Sequence, residues 1–179
     1  MTNNVALIGY RGTGKTTVAR HLALAWGWDW VDADVELELR AGKSIAAIFA
    51  DDGERAFRDL ESLVLRELVA RERAVLALGG GVIMRLENRA ALENCGQVVW
   101  LQARPEELWR RIQADHVTAA RRPNLTLSGG LNEITAILAE RSPIYRECAD
   151  LEVDTEGKSP AAVAGEIADS WTPPPAADA

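Results

Sequence analysis

The stretch GYRGTGKT, Gly9 to Thr16, meets every fixed position of the pattern G-x-x-x-x-G-K-[ST]. Glycines at these spacings let the backbone bend round an anion so that successive N–H groups point at phosphate oxygens. A helix opening directly afterwards adds the positive end of its dipole. Lysine at the penultimate position can reach β- and γ-phosphates, and the hydroxyl after it suits Mg²⁺. The candidate nucleotide contacts are therefore Gly12, Thr13, Gly14, Lys15, Thr16 and Thr17. Lys15 doubles as a candidate catalytic cation and Thr16 as a candidate metal ligand.

Other chemistry-bearing residues stand further along. Asp32 and Asp34 in WVDADVEL are two positions apart, and on an extended strand they would face the same side. A solvated turn, a metal site and a substrate grip all fit such a pair. Gly79, Gly80 and Gly81 in LGGGV would let a small ligand approach the backbone beside the phosphate loop. Arg58 and Glu61 in FRDLE lie at i and i+3 of a helical pattern; taken alone, they read as a solvated surface pair, and Arg141 reads no more specifically. Arg110, Arg111, Arg121 and Arg122 against Asp115 concentrate positive charge in an acidic chain, as a lid closing over phosphates would.

Elements of two alternating kinds must position these groups. Apolar runs VALI (5–8), WDWVDA (28–33), AVLAL (74–78), QVVWL (97–101) and LEV (151–153) read as strands. Helical patterns separate them, and between the second and third strands Phe57, Leu60, Val64 and Leu68 mark one long amphipathic helix. The expected architecture is an α/β fold, a five-stranded, mostly parallel sheet with helices on both faces. Pro105 followed by two glutamates, and Ser159 with Pro160, mark helix starts. Residues 115–130 keep neither period and read as a long loop, giving one domain over 1–171 with a mobile lid at about 112–130 and a flexible tail at 172–179.

Composition narrows the function classes. Of 179 residues, 47% are hydrophobic and 26% charged, as in an ordinary soluble domain. A net charge of −7 argues against a general nucleic-acid or anionic-membrane surface. Two distant cysteines, Cys95 and Cys148, suggest neither a disulfide framework nor a zinc ribbon, and a reducing cytoplasm suits them. No export signal or membrane-spanning run is expected. The Asn-Lys-x-Asp guanine reader of GTPases is missing, and no apolar strand ending in an acid follows the loop except WVDAD. The tryptophans of WGWDW read as packing residues, and NLT at 124–126 as a chance match to a glycosylation acceptor.

Taken together and in order, GYRGTGKT, DAD, FRDLE, LGGGV, RRPNL and ERSPIYRECAD resemble the shikimate kinase family across about residues 5–170. The resemblance implies a P-loop kinase architecture related to nucleoside monophosphate kinases. It also implies a monomer that moves the ATP γ-phosphoryl group to the 3-hydroxyl of shikimate, a step of aromatic amino-acid synthesis. By that resemblance Asp32 sits near Mg²⁺ and Asp34 holds the substrate hydroxyls. Arg58 and Arg141 bind the carboxylate with the backbone around Gly80, while Glu61 orients Arg58. Arg122 is the lid arginine that reaches the transferred phosphate, and Arg111 with Lys158, Ser159 and Pro160 fall near adenine. The run RRPNLTLSGG departs from the family's usual spacing, which keeps Arg121 as a rival to Arg122. Two other readings stay open: a P-loop kinase for gluconate or a nucleoside monophosphate, and a non-catalytic ATP-binding regulatory module.

Overall fold

A computed structural model describes residues 2–114 and 130–172. Five strands form one sheet in the order β2-β3-β1-β4-β5: β1 (Asn4–Ile8), β2 (Asp29–Asp32), β3 (Ala74–Ala77), β4 (Gly96–Gln102) and β5 (Leu151–Asp154). Every pairing is parallel, which sharpens the expectation of a mostly parallel sheet. All five residues of β1 are buried, because the strand lies mid-sheet with both faces covered.

The period-2 alternation of β1 divides the core. Ala6 and Ile8 face a cluster with Leu37, Ile48, Phe57, Val64 and Leu68. These come from α2 (Ala33–Ala41), α3 (Ile45–Asp51) and α4 (Gly53–Val69). Val5 and Leu7 face the other layer, Val18 and Leu22 of α1 (Lys15–Trp26) with Val163 and Ile167 of the last helix. A third cluster joins Tyr10 to Leu108 of α6 (Pro105–Ala114) and to Ile134 and Ile137 of α7 (Gly130–Cys148). The remaining α-helices among the described residues are α5 (Leu86–Leu92) and α8 (Pro160–Ser170), the latter capped by Ser159, whose side chain accepts from Ala162 N–H. Both proline-marked helix starts are therefore found as expected.

Several expectations need correction. Asp32 and Asp34 do not share a strand face. β2 ends at Asp32, which caps α2 by accepting the Asp34 N–H, so Asp34 stands in a helical first turn. An aspartate at a helix cap satisfies a donor the helix cannot, and that competes with continued extension. Helices α2, α3 and α5 carry no expectation above. They are short, seven to nine residues, so their apolar period barely repeats. The loop expected to reach 130 ends where Gly130 opens α7, and its residues 115–129 lie outside the described ones, as do 173–179 of the tail. Trp26 and Trp28 pack with Trp171, ring centroids 5.2 to 6.0 Å apart, so these rings serve packing as expected.

Candidate active site

The phosphate loop leaves the carboxyl end of β1, where the sheet changes direction: β3 lies on one side of β1 and β4 on the other. Such a switch point leaves a crevice beyond the strand ends. Gly9 has φ +134°, and a Cβ there would lie 2.4 Å from the Leu101 carbonyl oxygen, so only glycine passes β4 this closely. Gly14, φ +89°, opens α1 without a side-chain cap, which leaves the helix N–H groups directed at the loop's concavity. Lys15 Nζ donates to the Gly9 and Tyr10 carbonyls at 2.8 Å each.

Thr16 and Asp32 meet across the loop: Thr16 Oγ1 donates to Asp32 Oδ2 at 2.6 Å. The other Asp32 oxygen accepts the Asp34 N–H at 3.0 Å, so capping α2 fixes the pair. A cleft of about 360 Å³ is lined by Lys15, Thr16, Asp32, Asp34, Gly79 and Gly80. A second hollow, about 540 Å³, continues it past Gly12, Gly14 and Arg111 to Lys158 and Pro160. Thr17 lines the first and Thr13 the second.

The two arginines expected to bind an acid converge on the glycine run. Arg58 Nη1 is 2.7 Å from Glu61 Oε2, with the Arg58 side chain 15% exposed and that of Glu61 8%. This is a half-enclosed pair, unlike the solvated one that the i, i+3 spacing alone suggests. A Cβ on Gly81 would fall 2.4 Å from Arg58 Nη1, so glycine here makes room for the guanidinium. Arg141 Nη1 donates to the Gly80 carbonyl at 3.1 Å, and the same oxygen accepts from Tyr145 OH. Asp34, Glu61 and Gly79 line one small hollow beside this point. Asp34, Arg58, Glu61, Arg141 and the three glycines thus stand together next to the phosphate loop.

Arg111 spans the far side, donating to Thr155 Oγ1 and to the Thr155 carbonyl at 2.9 Å, and to Glu107 at 2.7 Å. Hydrogen bonds from Arg110 and Arg111 hold the Glu107 carboxyl down at about 2. Ser159 caps α8 and Lys158 pairs with Glu166 at 2.6 Å, so of that trio Lys158 and Pro160 reach the hollow wall. Arg121 and Arg122 lie outside the described residues. Sequence reasoning missed Tyr145, although it stands four residues after Arg141 and so on the same helix face. It missed Arg11, which lines the first cleft from an unspecified position of the loop motif, and Thr155, for which no local signal exists.

The sequence model of shikimate kinase matches residues 11–172. The chain belongs to the shikimate kinase family. A shikimate kinase from Rhodopirellula baltica is 44% identical over 153 residues, 86% of this chain and 82% of the relative. The solved shikimate kinase from Acinetobacter baumannii in complex with shikimate superposes with a TM-score of 0.88 at 36% identity, covering 95% of this chain and 93% of that one. A gluconokinase from Sinorhizobium meliloti shares the fold alone, with a TM-score of 0.52 at 16% identity over 93% of this chain and 94% of that one. Among the described residues no helix is long and apolar enough to cross a membrane.

Proposed function

We propose that this chain moves the γ-phosphoryl group of ATP to the 3-hydroxyl of shikimate, in one monomer of the cytoplasm, with Mg²⁺. As a member of the shikimate kinase family it is an ATP-dependent kinase acting on an alcohol. The observation that carries the assignment of substrate to this cleft is the convergence of Arg58 and Arg141 on Gly80 and Gly81 beside the phosphate loop. Two guanidiniums at a bare backbone suit a small carboxylate, and the Asp34 carboxylate, which lines the same cleft as the loop, suits a hydroxyl. Cys95 is buried and Cys148 half-buried, and neither pairs with the other, as suits a reducing compartment.

The roles follow from position. The loop N–H groups and Lys15 would hold the β- and γ-phosphates, while Gly12, Gly14, Arg111, Lys158 and Pro160 line the nucleoside hollow. Thr16 and Asp32 offer a hydroxyl and a carboxylate, hard oxygen donors of the kind Mg²⁺ takes with water and phosphate completing its shell. An ion held by these two residues would supply neutralisation of the charge on the phosphates. Arg58, held by Glu61, and Arg141 grip the carboxylate and so turn the ring to offer one hydroxyl. Asp34 orients that hydroxyl in line with the phosphorus and accepts its proton, and Arg122, with Arg121 as the rival, steadies the charge that develops.

ADP release from purified protein, with shikimate, gluconate or AMP supplied singly, tests the reading. Rapid release with shikimate alone is expected. Release with gluconate or AMP, or ATP binding with no release at all, would overturn it.

A further inference from the structure

One buried ion pair has been given no role above, although its arginine also lines the first cleft. Arg11 Nη2 lies 3.2 Å from Glu133 Oε1, with the Arg11 side chain 9% exposed and that of Glu133 fully enclosed. Arg11 belongs to the phosphate loop; Glu133 belongs to the first turn of α7, the helix that carries Arg141 and Tyr145 two to three turns later. The same seam is packed by Tyr10, 2% exposed, against Ile134 and Ile137 of α7, and the Arg11 guanidinium lies 5.8 Å from the Tyr10 ring centroid.

From this we infer that Arg11 and Glu133 are positioning residues, a strut that fixes α7 on the phosphate loop and thereby sets Arg141 at its distance from the phosphates. This rests on the proposed function, since it assumes that Arg141 grips the substrate carboxylate. At one end α7 is tied to the loop through Glu133; further along, it is tied to Gly80 through Arg141 and Tyr145. Gly80 itself touches the loop, where a Cβ on it would lie 3.2 Å from the Gly9 carbonyl oxygen. A closed path therefore runs from the loop through α7 and Gly80 back to the loop, and rotation or sliding of the helix would open it at both ties.

A buried ion pair is a poor source of stability, because desolvation offsets the attraction and well-packed apolar residues often do as well. Arg11 Nε is moreover buried with no hydrogen-bond partner among the described residues, so the guanidinium is not placed where its own bonding is best satisfied. Packing alone would be served by a methionine at this position. A directed bond from Arg11 Nη2 to one buried carboxylate oxygen specifies where along α7 the loop must sit, which a greasy contact cannot.

The test is steady-state kinetics on Arg11→Met, Glu133→Gln, the double variant Arg11→Met/Glu133→Gln and the apolar pair Arg11→Met/Glu133→Leu, with melting temperatures alongside. Expected are a KM for shikimate raised about tenfold in each single variant and a kcat within about threefold. The double variant should be no worse than the poorer single, as coupled residues behave. In Arg11→Met/Glu133→Leu the melting temperature should be at or above the wild-type value while the shikimate KM stays high, which a merely structural pair would not produce. An unchanged shikimate KM in Glu133→Gln, effects that multiply in the double variant, or recovery of KM along with melting temperature would each overturn the inference. Wild-type turnover of shikimate separates this from the underlying reading: without it both fall, and with it those outcomes overturn the strut alone.

Discussion

Asp34 and Gly81 are the residues on which single-atom changes should speak most clearly. Asp34→Asn keeps the shape but removes the proton acceptor, so turnover should fall by about 10² to 10⁴ while ATP affinity is kept, the usual range for a general base. Rapid-quench turnover beside nucleotide titration checks this, and ordinary turnover would remove Asp34 from the role. Gly81→Ala tests the arginine grip without touching a charge. Gly81 has φ −102°, which alanine adopts freely, so the only cost is its Cβ at 2.4 Å from Arg58 Nη1. The guanidinium must shift, and the shikimate KM should rise about tenfold, or about 1.4 kcal/mol, with little change in melting temperature. Arg122→Ala should lower kcat far more than it raises the shikimate KM, and the same variant at Arg121 should not. At this scale the sequence was most legible where a motif fixes spacing, as for Lys15 and Thr16. It was least legible where burial decides, since the i, i+3 spacing of Arg58 and Glu61 is the same on a wet face as in a half-enclosed one.

Helix ends do much of the positioning. Asp32 is at once the cap of α2 and the partner of Thr16, so removing its carboxylate frays α2 and releases the hydroxyl together. Glu107 on α6 places Arg111 against the hollow, and its carboxyl lies at about 2, below its unfolded value near 4.5. A folded-state value depressed in this way stabilises the fold above the unfolded value, and that contribution is lost as pH falls toward 2. Glu107→Gln should therefore flatten the acid side of the stability curve between about pH 4.5 and 2, seen in urea midpoints, and weaken ATP binding a few-fold at pH 7. An unaltered acid limb with unaltered nucleotide affinity would show that Arg111 needs no such support. The α4 helix was readable because its period repeats, keeping Phe57, Val64 and Leu68 inside. The turn from β2 into α2 was not, because an aspartate suits a strand end and a helix cap alike.

Across the whole molecule, an acidic chain gathers guanidiniums at one end of its sheet. Steering by net charge of −7 would repel both anionic substrates, so local cations must dominate the cleft and binding should respond to salt only modestly beyond the Debye length. The alternation of apolar runs disclosed five strands and their parallel arrangement. It could not disclose the order β2-β3-β1-β4-β5, because partners such as Leu7 and Ala77 are distant in sequence and chosen by packing on both faces. Cys95 marks the integrity of that packing: fully enclosed, its thiol is pushed up to about 12 by burial. It should react with a thiol reagent at pH 8 only as fast as the core opens, measured against the unfolded rate.

The central claim is that Arg58 and Arg141 recognise a carboxylate beside the phosphate loop. Comparing shikimate with its methyl ester, in the wild type and in Arg141→Ala, isolates that contact. The wild type should prefer the free acid in kcat/KM by about a hundredfold, or about 2.7 kcal/mol, and the variant should lose most of that preference. An Arg141→Ala enzyme that discriminates acid from ester as sharply as the wild type would contradict the account.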